Sequence, residues 1–256
     1  MLSDMNAAEY LKRIKYTGSV EPCYATLRAL NLAHLQAVPF ENLDIHLGQR
    51  IELDLPLVFD KIVVRHRGGF CYELNGLFAW LLECLGFEVA HLSASDAHND
   101  GGYGPDFDHL TLAVRALRDP ALAWLTDVGW GDTFLEPLKL GETNEQTQAG
   151  RAYRIDHDGD YHVLWQKDYD GQWERHYRFT LQPRAYQDFA AMCRYHQTSP
   201  ESLFVKKRIC TLLTQHGRIT LDNSRLITTV QGKRQEQLIA EDRYNDILKV
   251  RFGIEV

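Results

Sequence analysis

The chain has 256 residues, 45% hydrophobic and 25% charged, enough to bury a sizeable core as one large domain or two to three small ones. Lysine and arginine total 28 against 35 acidic residues, a net charge of -7, which argues against nucleic acid as the main partner and leaves any anionic ligand to a local basic pocket. No apolar run reaches the roughly 20 residues of a membrane helix, and the opening MLSDMNAAEYLKRIKYTG lacks the basic-then-apolar order of a secretory signal. The expectation is a soluble, cytoplasmic protein with no membrane partner.

In chain order, Asn6 and Glu9 have the spacing of a capping box ahead of Ala7, Tyr10, Leu11 and Ile14 at helical intervals. Leu27, Leu30 and Leu35 continue the apolar pattern towards Pro39, with Asn31 as a break that would divide the stretch into two helices. Asp54 caps a predicted helix that buries Val58, Phe59, Ile62 and Val63, and Gly68-Gly69 stops it. The clearest helix carries Leu74, Leu77, Phe78, Leu81, Leu82 and Leu85 on one face and ends at Gly86.

Beyond Gly86 the period becomes alternating. Leu110, Leu112, Val114 and Ala116 face one way, and His109, Thr111, Ala113 and Arg115 the other. Tyr161, Val163 and Trp165, then Trp173, Tyr177, Phe179 and Leu181, repeat the pattern around turn signals at His157–Asp160 and Asp170-Gly171, which predicts an antiparallel meander or small barrel. A helix is expected from Tyr186 to Tyr195, broken by Ser199-Pro200. Short strands follow at Ile209–Leu213, Ile219–Leu221 and Leu226–Val230, and a last helix carries Tyr244, Ile247 and Leu248. The fold class is α+β, read as α, then β, then a small α/β tail.

The five cysteines, Cys23, Cys71, Cys84, Cys193 and Cys210, are odd in number and form no CxxC pair, which argues against a disulfide framework and against a metal site. His157 and His162 show no metal-binding spacing either. Cys71 differs from the rest: in Arg67-Gly-Gly-Phe-Cys71-Tyr-Glu-Leu-Asn75 it sits where a glycine turn meets a helix start. Unpaired N–H groups and the helix dipole there are expected to lower a thiol pKa. A nucleophilic cysteine needs a base, and an imidazole needs a group to orient it. His109 opens one strand run and Asp127 closes the next. Each residue also has a plain reading, as core thiol, strand histidine or turn former, and spacing alone leaves the trio open.

Pro39-Phe-Glu-Asn-Leu-Asp44, Arg67–Asn75, Asp108-His-Leu-Thr-Leu-Ala-Val114 and Asp127-Val-Gly-Trp-Gly-Asp132 together resemble the successive signatures of the arylamine N-acetyltransferases. Tyr10–Tyr16 and Ser199–Phe204 extend the likeness to about four fifths of the chain. The resemblance implies an N-terminal helical bundle (1–86) carrying the nucleophile, a central antiparallel β-barrel (87–183) carrying the histidine and aspartate, an interdomain helical region (184–208) and a short C-terminal α/β lid (209–256). It makes Cys71 the nucleophile, His109 its general base and later acid, and Asp127 the orienting group of a cysteine-protease-like triad. Phe40, Trp130 and Phe204 would line the acceptor pocket. Glu41, Arg67 and Asn75 would support the site, the first two as a buried pair locking the nucleophile's loop to the bundle.

The implied reaction moves an acetyl group from acetyl-CoA through a cysteine thioester to arylamines, arylhydrazines or arylhydroxylamines by a ping-pong cycle, with no metal. Alternatives are an amide synthase using a carrier-bound or polyketide acyl chain, and a transglutaminase- or cysteine-hydrolase-like enzyme. The chain departs from the family pattern at Trp130, where Phe is usual, in a longer interval from His109 to Asp127 around Arg118–Ala121, and in stopping at Val256, which implies a reduced lid. Lys206-Lys207-Arg208 is a compact basic run, read as a solvated charge run before a contact for CoA phosphates.

Overall fold

Asn6 accepts the Ala8 N–H at 2.8 Å and starts α1 (Ala7–Arg13), in which Tyr10 is fully buried. The computed structural model describes residues 5–116, 119, 121–167 and 170–256. Helix α2 (Tyr24–Ala37) runs unbroken through Asn31, against the expectation of two helices. The buried Asn31 side chain donates to the Leu135 carbonyl at 2.7 Å, so it does not compete with its own helix backbone.

Strand β1 (Phe40–Glu41) and α3 (Leu43–His46) lead to α4 (Leu55–Phe59), capped by Asp54, which accepts the Leu57 N–H at 3.1 Å. A π-turn over Asp60–Val64 completes burial of Val58, Phe59, Ile62 and Val63. The stop comes before Gly68-Gly69: Arg65 caps the turn and His66 takes a φ of 55°. The glycine pair serves close approach instead. A Cβ on Gly68 would run into the Pro39 carbonyl oxygen, and its absence lets Phe40 and Gly69 form a parallel bridge.

Helix α5 (Cys71–Cys84) is the hub of the first core. Leu74, Leu77, Phe78, Leu81 and Leu82 are wholly buried, each contributing about 1.5–3 kcal/mol by area. Gly86, with a φ of 88°, turns the chain out of the helix. Against α5 lies a barrel-like sheet of eight strands. In chain order they are β2 (Phe87–Asp96), β3 (His109–Ala116), β4 (Ala123–Thr126), β5 (Leu138–Lys139), β6 (Gln146–Gln148), β7 (Arg151–Asp158), β8 (Tyr161–Lys167) and β9 (Trp173–Arg184). They are ordered β5-β4-β3-β2-β9-β8-β7-β6.

Side chains rather than a backbone ladder bridge the ends of that order. Gln146 accepts the Lys139 N–H at 2.7 Å and returns a bond to the Lys139 carbonyl, and Gln148 accepts the N–H groups of Leu135 and Glu136. The alternation in β3 divides two cores. Leu110, Leu112, Val114 and Ala116 join the core around α5, and Ala113 joins Leu92, Ala94, Leu164, Tyr177 and Phe179 inside the barrel. The alternation expected across β8 and β9 is shifted by a bulge at Leu164/Trp165, which buries Leu164, and Leu181 at the far end of β9 is 44% exposed instead of core.

A 3₁₀ turn over Tyr186–Phe189 precedes α6 (Ala190–Thr198) and α7 (Leu203–Lys206). The tail forms β10 (Ile209–Thr214), β11 (Gly217–Asp222), β12 (Arg225–Val230) and β13 (Lys233–Leu238). Strand β13 was not expected, because KRQEQL is exposed throughout and carries no apolar alternation. This sheet is ordered β1-β10-β11-β12-β13, so the unit expected at 209–256 takes its edge strand from residues 40–41. Helix α8 (Tyr244–Ile247) and a π-turn over Leu248–Phe252 pack on it. Among the described residues no helix is long and apolar enough to cross a membrane.

Candidate active site

Cys71 is the first residue of α5 and only 2% exposed. Glu73 reaches back to accept the Phe70 N–H at 3.1 Å, fixing the turn that presents the thiol. The chain leaving β4 is pressed onto this helix start. A Cβ on Gly129 would lie 2.8 Å from Cys71 Cα and 2.7 Å from Asn75 Nδ2, so only glycine fits. His109 begins β3 and Asp127 follows β4; the pairing of Leu112 with Thr126 sets them side by side. His109 Nε2 meets Asp127 Oδ2 at 2.7 Å, which leaves Nδ1 as the ring nitrogen available to a thiol.

Asn75, one turn after Cys71, ties the helix to the aspartate. Its Nδ2 donates to Asp127 Oδ1 at 2.9 Å and to the Leu110 carbonyl at 2.6 Å, and its Oδ1 accepts the Val128 N–H. The Gly129 N–H and the Tyr177 hydroxyl also donate to Asp127, at 2.9 and 3.0 Å. A wholly buried carboxylate thus receives hydrogen bonds from His109, Asn75, Gly129 and Tyr177. Arg118 and Pro120, part of the enlarged turn expected between His109 and Asp127, lie outside the described residues.

Burial alone would raise the Asp127 pKa, but His109, Asn75 and the Gly129 N–H hold it below the usual carboxylate value. Burial opposes charge on His109, and Asp127 outweighs it, so the imidazole pKa is raised. Cys71 corrects an expectation. Burial first, then the nearby Asp96, pushes its thiol well up, with the Leu110 N–H pulling the other way. Burial at this closed site opposes the thiolate, and an imidazolium beside it would favour it.

Glu41 and Arg67 are brought together in a larger buried network. Arg67 donates to Glu41 Oε1 at 2.9 Å and to Asp44 Oδ1 at 2.9 Å, while Lys61 meets Asp44 at 2.7 Å and Glu73 at 2.8 Å. Glu41 Oε2 also accepts the Leu43 N–H. This connects β1, α3 and the π-turn to the helix start bearing Cys71. Asp44, Lys61 and Glu73 were missed as members; only the spacing from Phe70 to Glu73 hinted at the last. In the sequence Tyr177 reads only as a strand aromatic.

Trp130 stands edge-on to His109, with ring centres 4.9 Å apart, and also meets Tyr177 at 4.9 Å. Together with Phe40 it lines a cleft of about 370 Å³ whose other walls include Lys207, Thr211, Arg218 and Arg234. Phe204 stands behind Phe40 at 6.2 Å and packs on Phe70 and His196. The basic run is ion-paired residue by residue, Lys206 with Glu201, Lys207 with Asp222 and Arg208 with Glu241. Next to His109, Asp108 pairs with His196 of α6 at 3.0 Å.

The N-acetyltransferase family model matches residues 24–256. The pineal gland isozyme NAT-3 of arylamine N-acetyltransferase from Gallus gallus is 35% identical over 98% of this chain and 94% of its own. The solved structure of the M. tuberculosis arylamine N-acetyltransferase superposes with a TM-score of 0.91 at 32% identity, covering 97% of this chain and 94% of that one. The Mycobacterium marinum enzyme in complex with CoA superposes at 0.90 and 32% identity, over 97% and 93% of the two chains. With near-complete coverage in both directions and the same architecture, the chain belongs to the arylamine N-acetyltransferase family.

Proposed function

We propose that the protein carries an acetyl group from acetyl-CoA to a small aromatic amine, hydrazine or hydroxylamine through a thioester on Cys71. The observation that carries this reading is the buried thiol at the start of α5, the helix whose Asn75 donates to Asp127 of a His109–Asp127 pair with a fully hydrogen-bonded carboxylate. His109 Nδ1 takes the thiol proton as the Cys71 thiolate forms, and Asp127 stabilises the resulting imidazolium. The thiolate adds to the acetyl thioester, the bond from carbonyl carbon to CoA sulfur breaks, and His109 returns its proton to the departing sulfur. An amine then adds to the acetyl-enzyme, His109 takes one N–H proton, and the Cys71 thiolate leaves, restoring the ion pair.

Burial of the thioester keeps water from competing with the amine. The cleft lined by Phe40 and Trp130 suits a thioester arm or flat ring, and CoA phosphates would have to draw Lys207, Arg218 and Arg234 on its walls from their ion pairs with Asp222, Asp132 and Glu236. Phe204 would buttress the ring through Phe40.

Mixing the protein with acetyl-CoA alone tests the reading. Intact mass should gain one acetyl group, peptide mapping should place it on Cys71, and an arylamine should discharge it. Cys71→Ser should take none, because a serine hydroxyl is far harder to ionise. Label on Cys23, Cys84, Cys193 or Cys210, or transfer by the serine variant, would sink it.

A further inference from the structure

Asp96, the last residue of β2, is a carboxylate that the acyl-transfer scheme does not use. Its register places it opposite Tyr177 on β9, two residues beyond Ala94, which stands opposite His109 on β3. Residues two apart on a strand share a face, as do directly paired residues, so Asp96 lies on the barrel side with His109 and Tyr177. The residue is partly exposed, yet its Oδ1 is buried and has no hydrogen-bond partner among the described residues. A buried carboxylate oxygen without a donor is unfavourable, and such groups mark sites where a donor arrives.

The groups around it are committed elsewhere. Asp108 beside His109 is tied to His196 of α6. Asp127 is filled by its own donors, and the Tyr72 hydroxyl of α5 donates to the Phe107 and Asp108 carbonyls. Burial, then Asp108, pushes the Asp96 pKa up to about 7, while His109 and His196 pull it down. Its field is also the first to act on the Cys71 thiol after burial. Asp96 thus shares a barrel face with His109 and lies close enough to Cys71 for its charge to act on the thiol.

We propose that Asp96 is the acceptor-side carboxylate of the site, taking a hydrogen bond from the N–H that the attacking nitrogen keeps, and thereby favouring primary amines and hydrazines over N-alkylated amines. This rests on the acyl-transfer reading. When the nitrogen adds to the thioester carbonyl, the N–C bond forms and the C–S bond breaks. One N–H proton passes to His109, and the other stays on the amide nitrogen and donates to Asp96. An N-alkyl arylamine gives up its single N–H to His109 and leaves Asp96 unpaired. Acylation by acetyl-CoA presents no N–H, so that step does not need Asp96.

The test separates the half-reactions in wild type, Asp96→Asn and Asp96→Ala. Acylation by acetyl-CoA alone, read by quench and intact mass, should stay within about 3-fold of wild type or speed up, because a negative neighbour of the thiolate is gone. Discharge of the acetyl-enzyme by aniline should fall about 10- to 100-fold, as for loss of one charge-assisted hydrogen bond. Discharge by N-methylaniline should hardly change, so the ratio of the two rates collapses. In wild type the aniline step should rise with pH as Asp96 ionises near 7, and that limb should vanish in Asp96→Asn, leaving only that of His109. Equal slowing of both halves, an aniline discharge within about 2-fold of wild type, or an unchanged ratio overturns the role of Asp96 alone. A wild type that takes no acetyl group on Cys71 overturns the acyl-transfer reading, and this inference with it.

Discussion

The Tyr177 hydroxyl donates to Asp127 Oδ2 at 3.0 Å, the same oxygen that holds His109 Nε2 at 2.7 Å. Two donors on one oxygen share its charge, so the tyrosine weakens the grip of the carboxylate on the imidazole. Tyr177→Phe keeps the ring inside the barrel and removes that donor, along with the hydroxyl's 3.3 Å contact with Thr111 Oγ1. The ring-nitrogen resonances of His109 should then titrate at higher pH than in wild type, with acylation changed by less than about 10-fold. A downward move, or a far larger loss of rate, would mean that the hydroxyl is needed to hold Asp127 in place.

The network behind the nucleophile sets three carboxylates, Glu41, Asp44 and Glu73, against two cations, Lys61 and Arg67. Lys61→Met fits the space of the side chain but leaves three buried acids with one partner. Loss of about 3–5 kcal/mol in urea unfolding at pH 7.5 is expected. Burial already raises the Glu73 pKa, and Lys61 is the first group pulling it down, so the variant should raise it further. An acid whose folded pKa exceeds its unfolded value loses stability as pH rises between the two. The deficit should therefore shrink when the same measurement is made at pH 5; a constant deficit would assign the loss to packing.

The legible parts of this molecule were those written in local pattern. The leucine face of α5, the two faces of β3 and the cap at Asp54 follow from spacing, and the motif runs singled out Cys71, His109 and Asp127. What stayed hidden depends on contacts far apart in sequence. Tyr177 reaches Asp127 only through the pairing of β2 with β9. Asn31 is harmless to α2 only because Leu135 lies across from it. The thiol differs from expectation for a related reason: a helix start can be read from a sequence, whereas the burial that raises the Cys71 pKa depends on long-range packing. Strand β13 carries no apolar signal because its residues are exposed on both faces.

His34 offers a test of how closed the helical core is. It is wholly buried in α2, with Nδ1 at 2.9 Å from the Tyr10 hydroxyl and its ring edge-on to Phe78 at 5.2 Å, and its Nε2 has no hydrogen-bond partner among the described residues. Burial first, then Arg13, lowers its pKa to about 3. An unfolded histidine titrates near 6.5. Between those values the unfolded chain binds a proton that the folded core refuses, so stability is level above pH 6.5 and falls as pH drops below it, by about 1.4 kcal/mol per unit from this residue. His34→Gln keeps an oxygen for Tyr10 and removes the titration. It should be less stable than wild type at pH 7.5 by about 1–2 kcal/mol and should close that gap, or reverse it, by pH 4.5. Comparing the two proteins cancels the opposite trend from Asp96, whose raised pKa adds stability as pH falls from about 7. A gap that does not narrow across that range would mean that the folded core accepts the proton on His34.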